Sequence, residues 1–104
     1  MLESVTRIRL RLEKHVERKA VRYAGGYGID VLKLNLRGRV GWPDRLYLFS
    51  MKRGGPVFIE FKRTDADAPS PSQARVHRRL KRLGYKIYVC SRLSEAKRII
   101  DAAL

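Results

Sequence analysis

The chain has 104 residues, 44% of them hydrophobic, with 24 Lys and Arg against 10 Asp and Glu, for a formal net charge of +14. That length gives one small domain with a single core, expected to span residues 1–104. The charge calls for a polyanionic partner, nucleic acid first and a membrane surface second. No apolar run approaches the ~20 residues of a spanning helix, and the N-terminus lacks the apolar segment of a secretory signal. Cys90 is the only cysteine. It excludes an internal disulfide and a cysteine-rich zinc site, and points to a reducing, cytoplasmic setting.

Residues 3–24 read as a helix. Val5, Ile8, Leu12 and Val16 make one apolar arc, extended by Leu10, Ala20, Val21 and Ala24, and Arg7, Arg11, Lys14, Arg18 and Arg22 make a basic stripe. Glu13 and Glu17 interrupt the apolar arc. "GGYG" at 25–28 stops the helix. "IDVLKLNLR" reads as a strand with Leu32, Leu34 and Leu36 on one face and Val31, Lys33 and Asn35 on the other. "GRVGWPD" is a loop, "RLYLF" a strand, "SMKRGGP" a turn and "VFIEFKR" a strand. After the polar loop "TDADAPSPS", Ser70 is placed as an N-cap, with Pro71 at the first helical position and Gln73 completing a capping box. In the helix "PSQARVHRRLKRL", Val76, Leu80 and Leu83 follow an i, i+4, i+7 spacing, and Arg75, Arg78, Arg79 and Arg82 mark a basic face. "YKIYVC" is apolar enough for a central strand, and "SRLSEAKRIIDAAL" is a last helix.

The middle hairpin holds scarce acid at its open end. If Phe49 pairs near Pro56 or Val57, Asp44 comes opposite residues 61 and 62, about 5 Å across. Alternation puts Phe58, Glu60 and Lys62 on one face. Asp44, Glu60 and Lys62 then converge, and two adjacent carboxylates repel unless a cation lies between them. A hard divalent ion suits two carboxylates, a main-chain carbonyl and water. Phosphodiester hydrolysis needs that Lewis acid, a nucleophilic water and a cation for the transition-state charge. Separately, each residue has a plainer reading. Asp44 fits a turn, Glu60 and Lys62 fit the wet face of an edge strand, and Gln73 fits a helix cap. Glu17 fits an ion pair with a basic neighbour. His15 and His77 read as surface or phosphate-contacting residues. Tyr23, Tyr27 and Trp42 fit either the core or a stacking surface, and Lys33 and Asn35 fit the same cleft as the acid.

Pro43-Asp44, followed after fifteen residues by Glu60-Phe61-Lys62, resembles the PD-(D/E)xK nuclease pattern. "GWPDRLYL", "VFIEFKR" and "PSPSQARVHRRLKRLGYKIYVC" together resemble the virus-type replication-repair nuclease (VRR-NUC) domain over nearly the whole chain. The resemblance implies an α/β, restriction-endonuclease-like fold: an α-β-β-β-α-β core with a C-terminal helix and a mixed four-stranded sheet flanked by helices. It implies Mg²⁺ or Mn²⁺ held by Asp44, Glu60 and the main-chain carbonyl of Phe61, with Lys62 as catalytic lysine. Glu17 and Gln73 match the family's helical glutamate and its glutamine. A stand-alone, viral member of this kind implies a homodimer that cuts DNA at four-way (Holliday) junctions in the host-cell cytoplasm. The rivals are a flap or sequence-specific nuclease and, from another class, a non-catalytic basic nucleic-acid-binding module. The basic faces at Arg7, Arg11, Lys14 and Arg18, and at Arg75, Arg78, Arg79 and Arg82, are the expected phosphate contacts.

Overall fold

The computed structural model describes residues 2–64 and 66–104, with side chains from Glu13 onward. The elements are α1 (Leu2–Gly25), β1 (Val31–Lys33), β2 (Arg45–Tyr47), β3 (Val57–Phe61), α2 (Pro71–Arg82), β4 (Lys86–Cys90) and α3 (Leu93–Ala103). The four strands form one mixed sheet in the order β1-β2-β3-β4. β2 runs antiparallel to β1 and β3, and β4 is parallel to β3. A parallel neighbour needs a crossover, and α2 supplies it. The expected fold is the one observed.

Alternation sorts the core into two layers. Val57, Ile59 and Phe61 of β3 pack with Tyr47, with Ala20 and Ala24 of α1, and with Ala96, Ile100 and Ala103 of α3. The alanines let the two helices lie close to the sheet and to each other. On the other face Phe58 packs with Leu80 of α2 and Ile87 of β4, flanked by Trp42, Leu46 and Val76. β3 is therefore covered on both sides and buried at all five positions. A fully covered strand is expected to read as a near-continuous apolar run, and Glu60 is its one exception.

Three local expectations change. "YKIYVC" forms an edge strand, not a central one: β4 pairs only with β3, and Lys86 and Tyr88 are exposed. "VFIEFKR" supplies the central strand, so Glu60 does not lie on an edge. The hairpin register also shifts. Arg45 lies opposite Ile59 and Tyr47 opposite Val57, which brings Asp44 level with Glu60 and not with residues 61 and 62. The cause is the connection. β2 ends at Tyr47, the Phe49 amide turns back onto the Tyr47 carbonyl (3.2 Å), and a 3₁₀ turn at Met51–Arg53 lengthens the loop.

Two backbone features seat the ends of these elements. α2 starts with the expected capping box: Ser70 Oγ accepts from the Gln73 amide (3.2 Å) and Gln73 Oε1 accepts from the Ser70 amide (2.8 Å). Gly41, at φ +86°, packs its α-carbon against that same helix start. A Cβ there would stand 2.5 Å from the Ser72 carbonyl oxygen. Only glycine permits both the left-handed backbone and the close approach. This contact fixes the loop that carries Trp42, Pro43 and Asp44 against the N-terminus of α2.

Candidate active site

The C-terminal end of β3 opens into a cleft of about 310 Å³ lined by Glu13, Glu60, Phe61, Lys62, Arg63, Gln73 and the 66–69 loop. The sheet brings the parts together. Asp44 stands one residue before β2, and its Oδ2 accepts a hydrogen bond from the Phe61 amide at 2.7 Å. The Lys62 amide points the other way, to the Cys90 carbonyl of β4 (2.9 Å). Both main-chain groups of an extended residue face the same side, so the Phe61 carbonyl also faces Asp44. Asp44, Glu60 and the Phe61 backbone thus meet at one point of the sheet, with Lys62 on the cleft wall.

The carboxylates are held in an uncomfortable state. Burial raises the Asp44 carboxyl above its ordinary value, and the Glu17 charge adds to this, against the Phe61 amide, Lys33 and Arg45. Burial also raises Glu60, with Asp44 adding to it, and the hydrogen bond from His77 only partly offsets the rise. Glu13 is raised by burial and then by Asp44. Three acids with mutual repulsion and reduced hydration are what an added cation would relieve. Among the described residues, no group of three or more His, Cys, Asp or Glu side chains is arranged to hold a metal ion by itself. The donor set fits a hard ion that keeps much of its water and takes one or two carboxylates and a carbonyl, as Mg²⁺ does.

His77 is not the surface residue expected from its helix. It is 7% exposed, and its Nε2 lies 3.1 Å from Glu60 Oε1. A carboxylate in a central strand is costly unless paired, and His77 supplies the pair. The signal was present in the spacing: residue 77 shares a helix face with Gln73 at i−4 and Leu80 at i+3. Glu17 and Glu13 divide the roles expected of Glu17. The Glu17 carboxylate takes the Arg45 guanidinium at 2.7 Å, in a separate recess with Lys14, Arg18 and Lys33. Glu13, one turn earlier, lines the cleft. Both sit in the same helical arc, and the sequence alone did not say which turn meets the sheet end.

Gln73 also lines the cleft while capping α2. The cap uses the side-chain oxygen, and the amide nitrogen keeps its two donors. Arg75, Arg78, Arg79 and Arg82 are all exposed on α2, as are Lys14 and Arg18 on α1. The side chains of Arg7 and Arg11 lie outside the described residues. Among the described residues no helix is long and apolar enough to cross a membrane.

No family model matches the chain, and no curated protein matches it. Among solved structures, a chain described as a VRR_NUC domain superposes with a TM-score of 0.77 at 30% sequence identity, covering 86% of this chain and 95% of that one. With the four-stranded mixed sheet, the helices on both faces and the Pro43-Asp44 and Glu60-x-Lys62 segments meeting at one sheet end, that likeness places the chain in the VRR-NUC family of PD-(D/E)xK-type nuclease domains.

Proposed function

We propose that the protein is a Mg²⁺- or Mn²⁺-dependent endonuclease that hydrolyses phosphodiester bonds in branched DNA, four-way junctions foremost, acting as a homodimer. The observation that carries this reading is the meeting of Asp44, Glu60 and the Phe61 backbone beside Lys62, in a chain whose remaining surface is strongly basic. Asp44, Glu60 and the Phe61 carbonyl would hold the cation, with Glu13 and Gln73 on the rim. Bound there, the cation supplies a Lewis acid for the phosphate and a route to a nucleophilic water at neutral pH.

The protein's own residues do the rest. The Phe61 amide occupies one oxygen of Asp44 and His77 occupies one oxygen of Glu60, so each carboxylate keeps its other oxygen for the cation. The Lys62 ammonium, on the cleft wall, would stabilise negative charge growing on the phosphate. The exposed arginines of α2 hold backbone phosphates, which position the substrate without reading its bases. Two symmetric cuts across a junction call for two sites related by a dyad, hence the homodimer.

The test is a panel of four-way junction, flap and linear duplex, each incubated with Mg²⁺, Mn²⁺ or EDTA. Junction cutting in either metal and none in EDTA is expected. Glu60→Gln should lower the rate by at least about 10²-fold, several kcal/mol of transition-state stabilisation, and leave binding in EDTA intact. DNA that is bound but never cut in either metal would overturn the enzyme reading and leave a binding module.

A further inference from the structure

On the α1 side of Asp44, Lys14, Glu17, Arg18, Lys33 and Arg45 enclose a recess of about 130 Å³. Its floor is an unusual strand pair. Lys33 of β1 lies directly opposite Arg45 of β2, and directly opposed residues share a sheet face. Like charges in that position repel and destabilise the pair. Glu17 answers one of them, taking Arg45 Nε at 2.7 Å, with both side chains largely covered. That bond leaves the recess with four cations against one carboxylate. It also fixes the direction of the guanidinium, whose terminal nitrogens keep four further donors.

The volume suits a tetrahedral oxyanion. A water takes about 30 Å³, so the recess has room for a phosphate group with some of its hydration. It lies one helical turn from the cleft, because Glu13 of α1 lines the cleft and Glu17 of the same helix lines the recess. The charges of Lys33 and Arg45 also reach the Asp44 carboxyl and pull it downward against its burial.

We propose that this recess is a phosphate subsite that holds a backbone phosphate of the DNA strand beside the one that is cut, with Lys33 and Arg45 as binding residues and Glu17 as the positioning residue for Arg45. The proposal rests on the nuclease reading for the identity of its ligand. It assigns Glu17 away from the metal and to the substrate.

The experiment measures four-way junction binding in EDTA across a salt series, with cutting in Mg²⁺ measured separately. Lys33→Ala should weaken binding about 5- to 10-fold near 0.1 M salt and reduce the slope of log Kobs against log salt by about 1. Lys33→Arg should restore both, and Lys52→Ala, exposed on the β2–β3 connection, should change neither. Glu17→Ala raises the net charge by one yet should weaken binding, because Arg45 loses its anchor. Tighter binding by Glu17→Ala would overturn the positioning role. A Lys33→Ala slope equal to wild type would overturn the subsite. If wild type binds and never cuts, the nuclease reading fails, whereas the Lys33 result still decides the subsite.

Discussion

Glu60 is a carboxylate in the middle of a buried strand, and its neighbours set two expectations. Its proton affinity is raised in the folded chain, mainly by burial. Between its unfolded and folded pKa the native state therefore binds more protons than the unfolded state, so stability falls as pH rises through that window. The metal-free protein should show a higher thermal midpoint at mildly acidic pH than at neutral pH. Glu60→Gln should flatten that dependence while removing activity. Asp44 and Glu13, raised in the same direction, should leave a residual slope. The second expectation concerns His77. His77→Leu takes the donor from Glu60 Oε1 and should raise the Mg²⁺ concentration for half-maximal cutting by about 10- to 100-fold. His77→Gln keeps an N–H and should recover most of it, with unfolding midpoints recorded for both. At this scale the sequence was partly legible. Asp44, Glu60 and Lys62 stood out because acid is scarce and their spacing is specific. His77 did not, because a histidine among arginines looks solvated until the sheet shows that its face is the covered one.

At the scale of elements, α2 was the most readable. Ser70, Pro71 and Gln73 announce its start by local chemistry, and the box forms as expected. Its double use of Gln73 can be separated. Ser70→Ala should cost about 1 kcal/mol by loss of the cap, read as a lower unfolding midpoint. Gln73→Glu keeps the capping box but replaces the amide donors in the cleft with a further acid. Near-wild-type stability with cutting reduced about 10-fold or more is expected; unchanged cutting would leave Gln73 as a cap alone. The hairpin was less readable. Strand pattern fixes which residues share a face, and Phe58 and Glu60 indeed share one. It does not fix how far two strands slide, because that depends on the loop. Here the loop spends residues on a 3₁₀ turn, and the register moved accordingly. The same limit applies to β4. Its apolar run reflects packing against α2 and α3 on an edge, and apolar content alone does not separate edge from centre.

Across the whole molecule, charge is partitioned. Glu13, Asp44, Glu60 and Asp67 gather at the end of β3, while exposed arginines occupy α2 and cations surround Glu17 on the α1 side. Replacing Arg78 and Arg82 by alanine should lower the salt slope of DNA binding by about 2, with equal losses on unrelated sequences of the same shape. A loss confined to one sequence would mean that α2 reads bases. Fold class was legible at this scale because the order of elements and the two-sided apolar pattern of β3 leave few alternatives. The arginine face of α2 was legible as well, whereas the cationic recess around Glu17 was not, since it depends on how α1 meets β1 and β2.

The capped start of α2 has a geometric corollary. One rod, twelve residues and about 18 Å long, carries Gln73 and His77 inward and four arginines outward. Its phase is locked at one end by the contact with Gly41. Substitution on the outer face leaves that phase untouched. Insertion or deletion of a single residue after His77 would rotate everything beyond it by about 100°, turning Arg78 and Arg82 off the solvent face and Leu80 out of the core. The helix behaves like a key cut on two edges. The outer edge tolerates filing, but the blade cannot change length.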